Sequence, residues 1–185
     1  MAFKIQFSLW WCLHNFVLVP TTHAPVADPV KKSAGISLHI HFCNHVCVYC
    51  NFHFSTSLKQ KEDVLAAIMV ELEIRKRFLE ESTIETIYFG GGTPSLLSAD
   101  EINRLCDTIQ KHYKVTQLNE VTLEANPDDL DKQYLRALRG TPVNRFSIGV
   151  QSFRDEDLAY MRRAHNAQQA DYAIKAAQDA GFNNL

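Results

Sequence analysis

The chain has 185 residues, of which 46% are hydrophobic and 22% charged, and its formal net charge is −2 at pH 7. This length suits one core-bearing domain, and the composition excludes an intrinsically disordered chain. The slightly acidic balance argues against a protein that holds nucleic acid through basic charge.

Residues 1–33 differ in character from the rest of the chain. The run Ile5–Val19 is apolar but interrupted by polar side chains, so it is too short and too polar to span a bilayer. It fits either a weak secretory signal or upstream sequence foreign to the domain. A cysteine cluster that needs a reducing compartment favours the second. We expect a disordered or signal-like extension over 1–33, not homologous to the domain over 34–185.

From Gly35 onward, strand patterns alternate with helical patterns. The predicted strands are Ile36–Ile40, Ile84–Phe89, Glu120–Ala125 and Arg145–Val150, and a fifth strand begins at Asn184-Leu185. The predicted helices cover 60–81, the stretch from the Ser98–Glu101 capping box to about Tyr113, and a short stretch from Pro127 toward Leu138. A last helix runs from Asp155 to about Ala180 with a break near Asn166.

Repeated strand–helix units predict a parallel sheet with helices outside it, as either a barrel or a doubly wound sheet. Such sheets place their chemistry at the carboxyl ends of the strands. The cysteines follow the first predicted strand and the glycines follow the second. Glu124 ends the third strand and Gln151 follows the fourth. We therefore expect one candidate site on this rim.

Three of the five cysteines fall within eight residues, as Cys43-x3-Cys47-x2-Cys50. A disulfide framework would be spread more evenly, so the cluster indicates a metal site. Three thiolates on a [4Fe–4S] cluster would leave one iron open for a small molecule. A zinc site would need a fourth ligand. Four imidazoles lie nearby in the sequence: His39, His41, His45 and His53. The spacing alone leaves both alternatives open.

The second predicted strand runs into Gly90-Gly91-Gly92-Thr93-Pro94, whose spacing fits neither a dinucleotide fingerprint nor a P-loop. Consecutive glycines let a ligand lie against the backbone, although a tight strand-to-helix turn would also use them. Glu124 could pair with a ligand ammonium or hydroxyl, or be an exposed acid. Tyr49, between two cysteines, could stack on an adenine or form an apolar lid over the cluster.

The remaining candidates depend on their predicted elements. The rim position of Gln151 favours a ligand role. Arg163 and His165 fall within the last predicted helix, where a surface role for the arginine and a structural role for the histidine are typical. Cys106 follows a helical apolar period, which predicts a buried core position. Cys12 has no assigned role.

Taken together, these motifs resemble the radical S-adenosylmethionine (SAM) family that includes oxygen-independent coproporphyrinogen III oxidase and the HemW heme chaperones. The resemblance extends from Ala34 to Leu185. Its motifs are His39-Ile40, Phe42-Cys43, Cys47, Tyr49-Cys50, Gly90–Leu97, Leu123–Pro127, Asn144-Arg145, Ser147–Phe153 and Arg163–His165. The resemblance implies an α/β fold, a partial TIM-like radical SAM (βα) barrel truncated after about four βα units.

The resemblance also implies the site residues. The cluster ligands would be Cys43, Cys47 and Cys50, and the open iron would take the amino and carboxylate groups of SAM. The implied SAM contacts are Tyr49, Gly91, Gly92, Thr93, Glu124, Gln151 and Arg163. One-electron transfer from the cluster would split SAM into methionine and a 5′-deoxyadenosyl radical, and no side chain is assigned a catalytic role.

The branch of the family is indicated by Phe52, which stands where the oxidase pattern has a further cysteine. Its presence favours a HemW-type heme chaperone in porphyrin and heme metabolism. The alternative is an oxidase that decarboxylates propionate side chains to vinyl groups, and a zinc-binding module is the third reading. The resemblance implies a [4Fe–4S] cluster, SAM and heme as cofactors. The expected partners are porphyrin or heme and an electron donor such as a flavodoxin-like protein, in the cytoplasm, with no nucleic acid and no stable membrane span.

Two departures from the family pattern affect these expectations. Ser37 stands where the family has a tyrosine that contacts SAM in the oxidase, and His41 stands where it has a proline. The sequence also ends as a fifth strand begins, and four strands cannot close a barrel. We expect residues 34–185 to be a truncated piece that is poorly stable or inactive alone.

Overall fold

The structure, a computed structural model, describes residues 3–7, 32–79 and 82–185. Its strands are β1 (Phe3–Phe7), β2 (Ser33–Ile40), β3 (Thr83–Gly91), β4 (Val115–Ala125) and β5 (Arg145–Ile148). Its α-helices are α1 (Lys61–Ile74), α2 (Ala99–His112), α3 (Lys132–Leu138), α4 (Asp155–Tyr160) and α5 (Ala167–Asp179). Short 3-10 helices lie at Leu58–Gln60, Lys76–Leu79, Pro94–Leu96 and Pro127–Asp129. None of the helices in the described ranges is long and apolar enough to cross a membrane.

The strands form one parallel sheet whose spatial order follows the chain, β1-β2-β3-β4-β5. A doubly wound sheet reverses its order at a switch point, whereas a barrel adds strands consecutively. The described sheet therefore has the barrel-type order, and the α/β prediction is confirmed. Asn184 pairs in parallel with Arg145, which confirms the start of a further strand beside β5.

One face of the sheet forms the hydrophobic core with the helices. Fully buried side chains from the strands include Ile36, Leu38, Ile40, Ile87, Phe89, Val121, Leu123 and Phe146. The helices contribute Leu65, Ile68, Leu72, Ile102, Leu105, Cys106, Ile109, Leu135, Leu138, Ala173 and Ala177. Burial of a large apolar side chain contributes about 1.5–3 kcal/mol. The prediction that Cys106 is a core residue is confirmed.

The opposite face of β2 to β5 is polar, because side chains alternate between the two faces of a strand. The polar positions are Ser37, His39, Tyr88, Thr122, Glu124, Arg145 and Ser147. This face leads up to the carboxyl ends of the strands, so the candidate site adjoins polar side chains on one side and the apolar core on the other.

Several predicted boundaries shift. The helix predicted over 60–81 ends at Ile74 and is followed by a 3-10 turn. The short helix after Pro127 is a 3-10 turn, then α3, which Asp131 caps. The predicted break near Asn166 is confirmed, since its side chain caps α5. The strand β1 lies inside the predicted extension and was not predicted, while Cys12 and the predictions for residues 8–31 lie outside the described residues.

Candidate cofactor site at the carboxyl rim of the sheet

The cysteine loop leaves β2 and is closed at its base by backbone hydrogen bonds. The Cys43 N–H donates to the Ser55 carbonyl at 3.0 Å, and the Ser55 N–H donates to the His41 carbonyl at 2.8 Å. Between these points the Cys50 N–H donates to the Cys47 carbonyl at 3.2 Å. The loop therefore presents three thiols from a segment pinned to the end of one strand.

The glycine segment continues the pairing of β3 with β2 beyond the ends of both strands. The Gly92 N–H donates to the Ile40 carbonyl and the Thr93 N–H to the Phe42 carbonyl, both at 2.7 Å. A Cβ at Gly92 would lie 2.6 Å from the Phe42 carbonyl oxygen and 2.9 Å from Sγ of Cys43. Gly92 is thus needed for the cysteine loop to approach the backbone this closely.

A cavity of about 300 Å³ lies between the cysteine loop and the strand ends. All ten predicted site residues line it: Cys43, Cys47, Tyr49, Cys50, Gly91, Gly92, Thr93, Glu124, Gln151 and Arg163. The wall also includes residues that were not predicted, among them Asn126, Asp128, Ser147 and Gly149. The structure therefore gathers residues from four βα units around one space, and their roles toward a ligand stay a prediction.

Glu124 is held from the neighbouring strand. The Tyr88 hydroxyl donates to Oε1 of Glu124, and the Gly91 N–H donates to Oε2 at 3.0 Å. Burial, reinforced by the hydrogen bond to Glu124, raises the pKa of Tyr88 to about 12, so this phenol stays protonated and acts as a donor at neutral pH. Each carboxylate oxygen keeps acceptor capacity for a ligand in the cavity.

Arg163 lies in the turn between α4 and α5, which corrects the prediction that it sits within a helix with a surface role. Its Nη2 donates to Oδ1 of Asn126 at 2.6 Å and to the Gly149 carbonyl at 2.7 Å. Its Nη1 lies 3.3 Å from the Tyr49 hydroxyl and 3.5 Å from Sγ of Cys47. Its Nε is buried and has no hydrogen-bond partner among the described residues.

Gln151 adopts a left-handed backbone conformation, with φ at 67°. Such conformations cost about 1–3 kcal/mol for most residues and concentrate at functional sites. The turn ends β5 at Ile148, two residues before the predicted Val150. It also places Gln151 on the cavity wall, so its position agrees with the rim prediction.

The thiols lie in a partly buried environment. Burial is the main cause that raises the pKa of Cys43, and the neighbouring Cys50 and Cys47 raise it further. The Thr93 hydroxyl and the Arg163 guanidinium act in the opposite direction and favour the thiolate. A positive group beside three mutually repelling thiolates suits a site whose ligands must be deprotonated.

No set of three or more His, Cys, Asp or Glu side chains in the described part of the chain has the geometry to hold one metal ion. Of the imidazoles considered for zinc, His45 lines the cavity, and the His41 and His53 rings lie 5.7 Å apart outside it. In an iron–sulfur cluster each thiolate binds its own iron, so the sulfurs need not converge on one point. The donor set, three thiols in one loop, fits that group.

Two residues at the site, Asn126 and Tyr88, were not predicted, and the prediction for His165 is refined. Asn126 lies within the Leu123–Pro127 motif but was given no role, and Tyr88 lies outside every motif. Their partners are 37 and 36 residues away in the chain. His165 lies in the α4–α5 turn, where it is buried and its Nε2 is 3.0 Å from the Val150 carbonyl oxygen. This agrees with a structural role, although not within a helix.

Comparisons with known proteins give a consistent picture. The sequence model of the Radical SAM superfamily matches residues 37–185. The chain is 36% identical over 156 residues to the "Heme chaperone HemW" of Lactococcus lactis and, again over 156 residues, 36% identical to that of Bacillus subtilis. The alignments cover 84% and 83% of this chain but 40% and 41% of the relatives. The chain therefore spans about two fifths of the length of these curated relatives.

A Danio rerio protein, "Radical S-adenosyl methionine domain-containing protein 1, mitochondrial", is 36% identical over 146 residues, which cover 78% of this chain and 33% of that protein. Among solved structures, coproporphyrinogen III oxidase (HemN) from Escherichia coli, described as a radical SAM enzyme, matches with a TM-score of 0.74 at 25% identity. The match covers 84% of this chain and 36% of that one.

Proposed function

The chain belongs to the radical SAM superfamily, and from that premise we propose that Cys43, Cys47 and Cys50 hold a [4Fe–4S] cluster beside a SAM site. The observation that carries the proposal is the single cavity that joins the three thiols to the glycine segment, Glu124 and Arg163. When bound, the cluster and SAM supply one-electron reductive cleavage of SAM; the residues of this chain bind and orient them.

The charges of the cavity wall fit a zwitterionic ligand such as SAM. Glu124 offers acceptors for an ammonium or ribose hydroxyl group. Arg163 offers the positive charge that a ligand carboxylate would pair with, because it lines the cavity with Nη1 beside Tyr49 and Cys47. Gly91 and Gly92 line the cavity, so their backbone forms part of its wall, and Tyr49 offers an aromatic face.

We extend the proposal to heme handling of the HemW type. The support is the identity to proteins named heme chaperones, together with Phe52 where the oxidase pattern has a further cysteine. Phe52 lines the cavity and is 73% exposed. Heme or porphyrin would be the bound cargo. The second candidate is coproporphyrinogen oxidation, which the structural match to HemN favours.

The proposed location is the cytoplasm, since free thiols suit a reducing compartment. The Danio rerio relative is named mitochondrial. Fractionation of cells that express the natural gene would show in which compartment the protein lies, and recovery in a mitochondrial fraction would contradict a cytoplasmic location.

The proposed electron donor is a flavodoxin-like protein. The test is whether such a protein, used in place of dithionite, reduces the cluster.

The central experiment is anaerobic reconstitution with iron and sulfide, followed by EPR of the reduced protein with and without SAM. We expect a reduced [4Fe–4S] signal that changes when SAM is added, because SAM would occupy the open iron. A signal that SAM leaves unchanged would contradict the SAM site. Absence of a cluster, with about one tightly bound zinc per chain, would favour the zinc module.

A separate pair of assays distinguishes the two heme-related functions. Titration with hemin, followed by absorbance, should show saturable binding if the protein carries heme. Anaerobic incubation with coproporphyrinogen III, SAM and a reductant should yield no vinyl product. Formation of a vinyl-bearing product would instead establish the oxidase function.

A further inference from the structure

We propose that Tyr88 is a positioning residue that fixes the Glu124 carboxylate in the orientation in which it meets the ligand of the cavity. This inference rests on the proposed function, because it takes that ligand to be SAM. Tyr88 carries no motif, and neither the resemblance nor the compared proteins assign it a role.

The geometry of the Glu124 carboxylate supports this role. Glu124 is the last residue but one of β4, and both of its oxygens accept a hydrogen bond from β3. The Tyr88 hydroxyl binds Oε1 and the Gly91 N–H binds Oε2. Two donors from one rigid strand restrict rotation of the carboxylate about its terminal bond. Loss of the tyrosine hydroxyl would leave only Oε2 held.

Tyr88 acts from behind the cavity wall. Glu124 and Ser147 line the cavity, whereas Tyr88 is not part of the lining. Ser147 on β5 lies close enough to the Tyr88 hydroxyl to lower the pKa of Tyr88. The phenol of β3 therefore acts together with side chains of β4 and β5. It can influence a ligand only through the residues that it holds, which is what separates positioning from direct binding.

The register of the sheet explains why the hydroxyl comes from β3. Tyr88 is paired with Ser37 of β2, and both side chains lie on the polar face. Ser37 is buried and small. A Cβ at Gly90 would lie 2.5 Å from Cε1 of Tyr88. The ring therefore extends along β3 over Gly90 toward Glu124. Ser37, which stands where the family has a tyrosine, has no phenol, so Tyr88 on the neighbouring strand provides a phenol hydroxyl on this face.

Two other tyrosines, the buried Tyr113 and the partly buried Tyr134, show the hydrogen bonding of a purely structural hydroxyl. The Tyr113 hydroxyl donates to the Leu72 carbonyl at 2.9 Å, and the Tyr134 hydroxyl donates to the Leu97 carbonyl at 2.8 Å. Both satisfy a backbone acceptor. The Tyr88 hydroxyl instead binds a side-chain carboxylate on the cavity wall. A phenylalanine substitution should therefore affect SAM binding at position 88 but not at position 113.

The test is a double-mutant cycle on SAM binding by the anaerobically reconstituted protein. Tyr88→Phe, Glu124→Ala and the double variant are compared with wild type, with Tyr113→Phe as the matched control. The readouts are the SAM dissociation constant from EPR titration, the iron content and the thermal midpoint. We expect Tyr88→Phe to weaken SAM binding by about 10-fold, as for one hydrogen bond to a charged group, with normal iron content.

In the Glu124→Ala background, Tyr88→Phe should change the SAM dissociation constant by less than about 2-fold, because the side chain that Tyr88 positions is gone. Tyr113→Phe should leave SAM binding unchanged. Three results would overturn the inference while the proposed function stands. They are equal effects of Tyr88→Phe in both backgrounds, loss of iron in Tyr88→Phe, and SAM binding by Tyr88→Phe that equals wild type. Failure of wild type to bind SAM would overturn the proposed function and the inference with it.

Discussion

Asn126 and Arg163 are joined by a 2.6 Å hydrogen bond from Nη2 of the guanidinium to Oδ1 of the amide. The same amide donates through Nδ2 to the Thr93 hydroxyl at 3.2 Å. Asn126 follows β4, Thr93 follows β3, and Arg163 lies after α4. One side chain therefore connects three separate segments of the cavity wall and fixes the guanidinium of Arg163.

Replacement of Asn126 by alanine should loosen Arg163 and weaken SAM binding. A hydrogen bond to a charged group contributes about 1.5–3 kcal/mol, which corresponds to a loss of roughly 10- to 100-fold in affinity. EPR titration of the reconstituted variant with SAM would measure it. The control is Asn103→Ala, which removes an exposed amide on α2 whose contact to the Gly140 carbonyl is 3.4 Å long. Unchanged affinity in Asn126→Ala would show that Arg163 needs no such anchor.

Addition of one methyl group at Gly92 should disrupt the cysteine loop. The new Cβ would meet the Phe42 carbonyl and Sγ of Cys43 at distances that atoms do not tolerate. Because the obstacle includes backbone, the loop itself must move. We expect Gly92→Ala to lose most of its bound iron while far-ultraviolet circular dichroism stays near wild type.

Gly140→Ala is the matched control for that substitution, because its nearest new contact is 3.4 Å away on an exposed turn. It should bind iron like wild type. Full iron content in Gly92→Ala would mean that the cysteine loop is not constrained by the glycine segment.

Local sequence signals predicted the starts of two helices, α2 and α5, well. The Ser98–Glu101 capping box is present, and the break at Asn166 coincides with a second capping box to Gln169. Capping is predictable because the interacting groups are three residues apart in the chain. The rim placement of the motifs was also predictable, since every parallel strand–helix unit brings its strand end to the same edge.

Relationships between distant residues could not be predicted in this way. Tyr88 and Asn126 acquire their positions from strand register and from a turn far along the chain. The helical pattern over 155–180 predicts a helix at Arg163. The pattern does not show which side chains in the turn between two helices point toward the cavity. No local pattern marks the end of β5 at Ile148 or the left-handed conformation of Gln151 three residues later.

Alanine at any one of Cys43, Cys47 and Cys50 should abolish stable cluster binding. Each thiolate would hold a different iron of the cluster, so loss of one leaves two ligands, too few for a stable site. Iron and sulfide analysis after anaerobic reconstitution would show it. Cys106→Ala is the matched control, since Cys106 is buried between α2 and the sheet. Iron loss in Cys106→Ala alone, with the loop variants intact, would contradict the ligand assignment.

Asp129 predicts a measurable pH dependence of stability. Burial raises the pKa of its carboxyl above the ordinary value of 3.8, although the Ser95 hydroxyl donates to Oδ2 at 2.6 Å and opposes the shift. The folded state therefore binds more protons than the unfolded state between pH 3.8 and the raised value. The contribution of Asp129 to stability is full below that window and is lost as the pH rises through it.

Asp129→Asn should remove this dependence, because an amide carries no charge to desolvate and its oxygen can still accept from Ser95. Urea unfolding of the cluster-free protein between pH 3.5 and 7, chosen to cover roughly the range in which buried carboxyls titrate, would give the difference in unfolding free energy between variant and wild type. That difference should shift in favour of the variant as the pH rises. Asp107→Asn, an exposed carboxylate on α2, is the control. A constant difference across the range would mean that Asp129 titrates alike in the folded and unfolded chains.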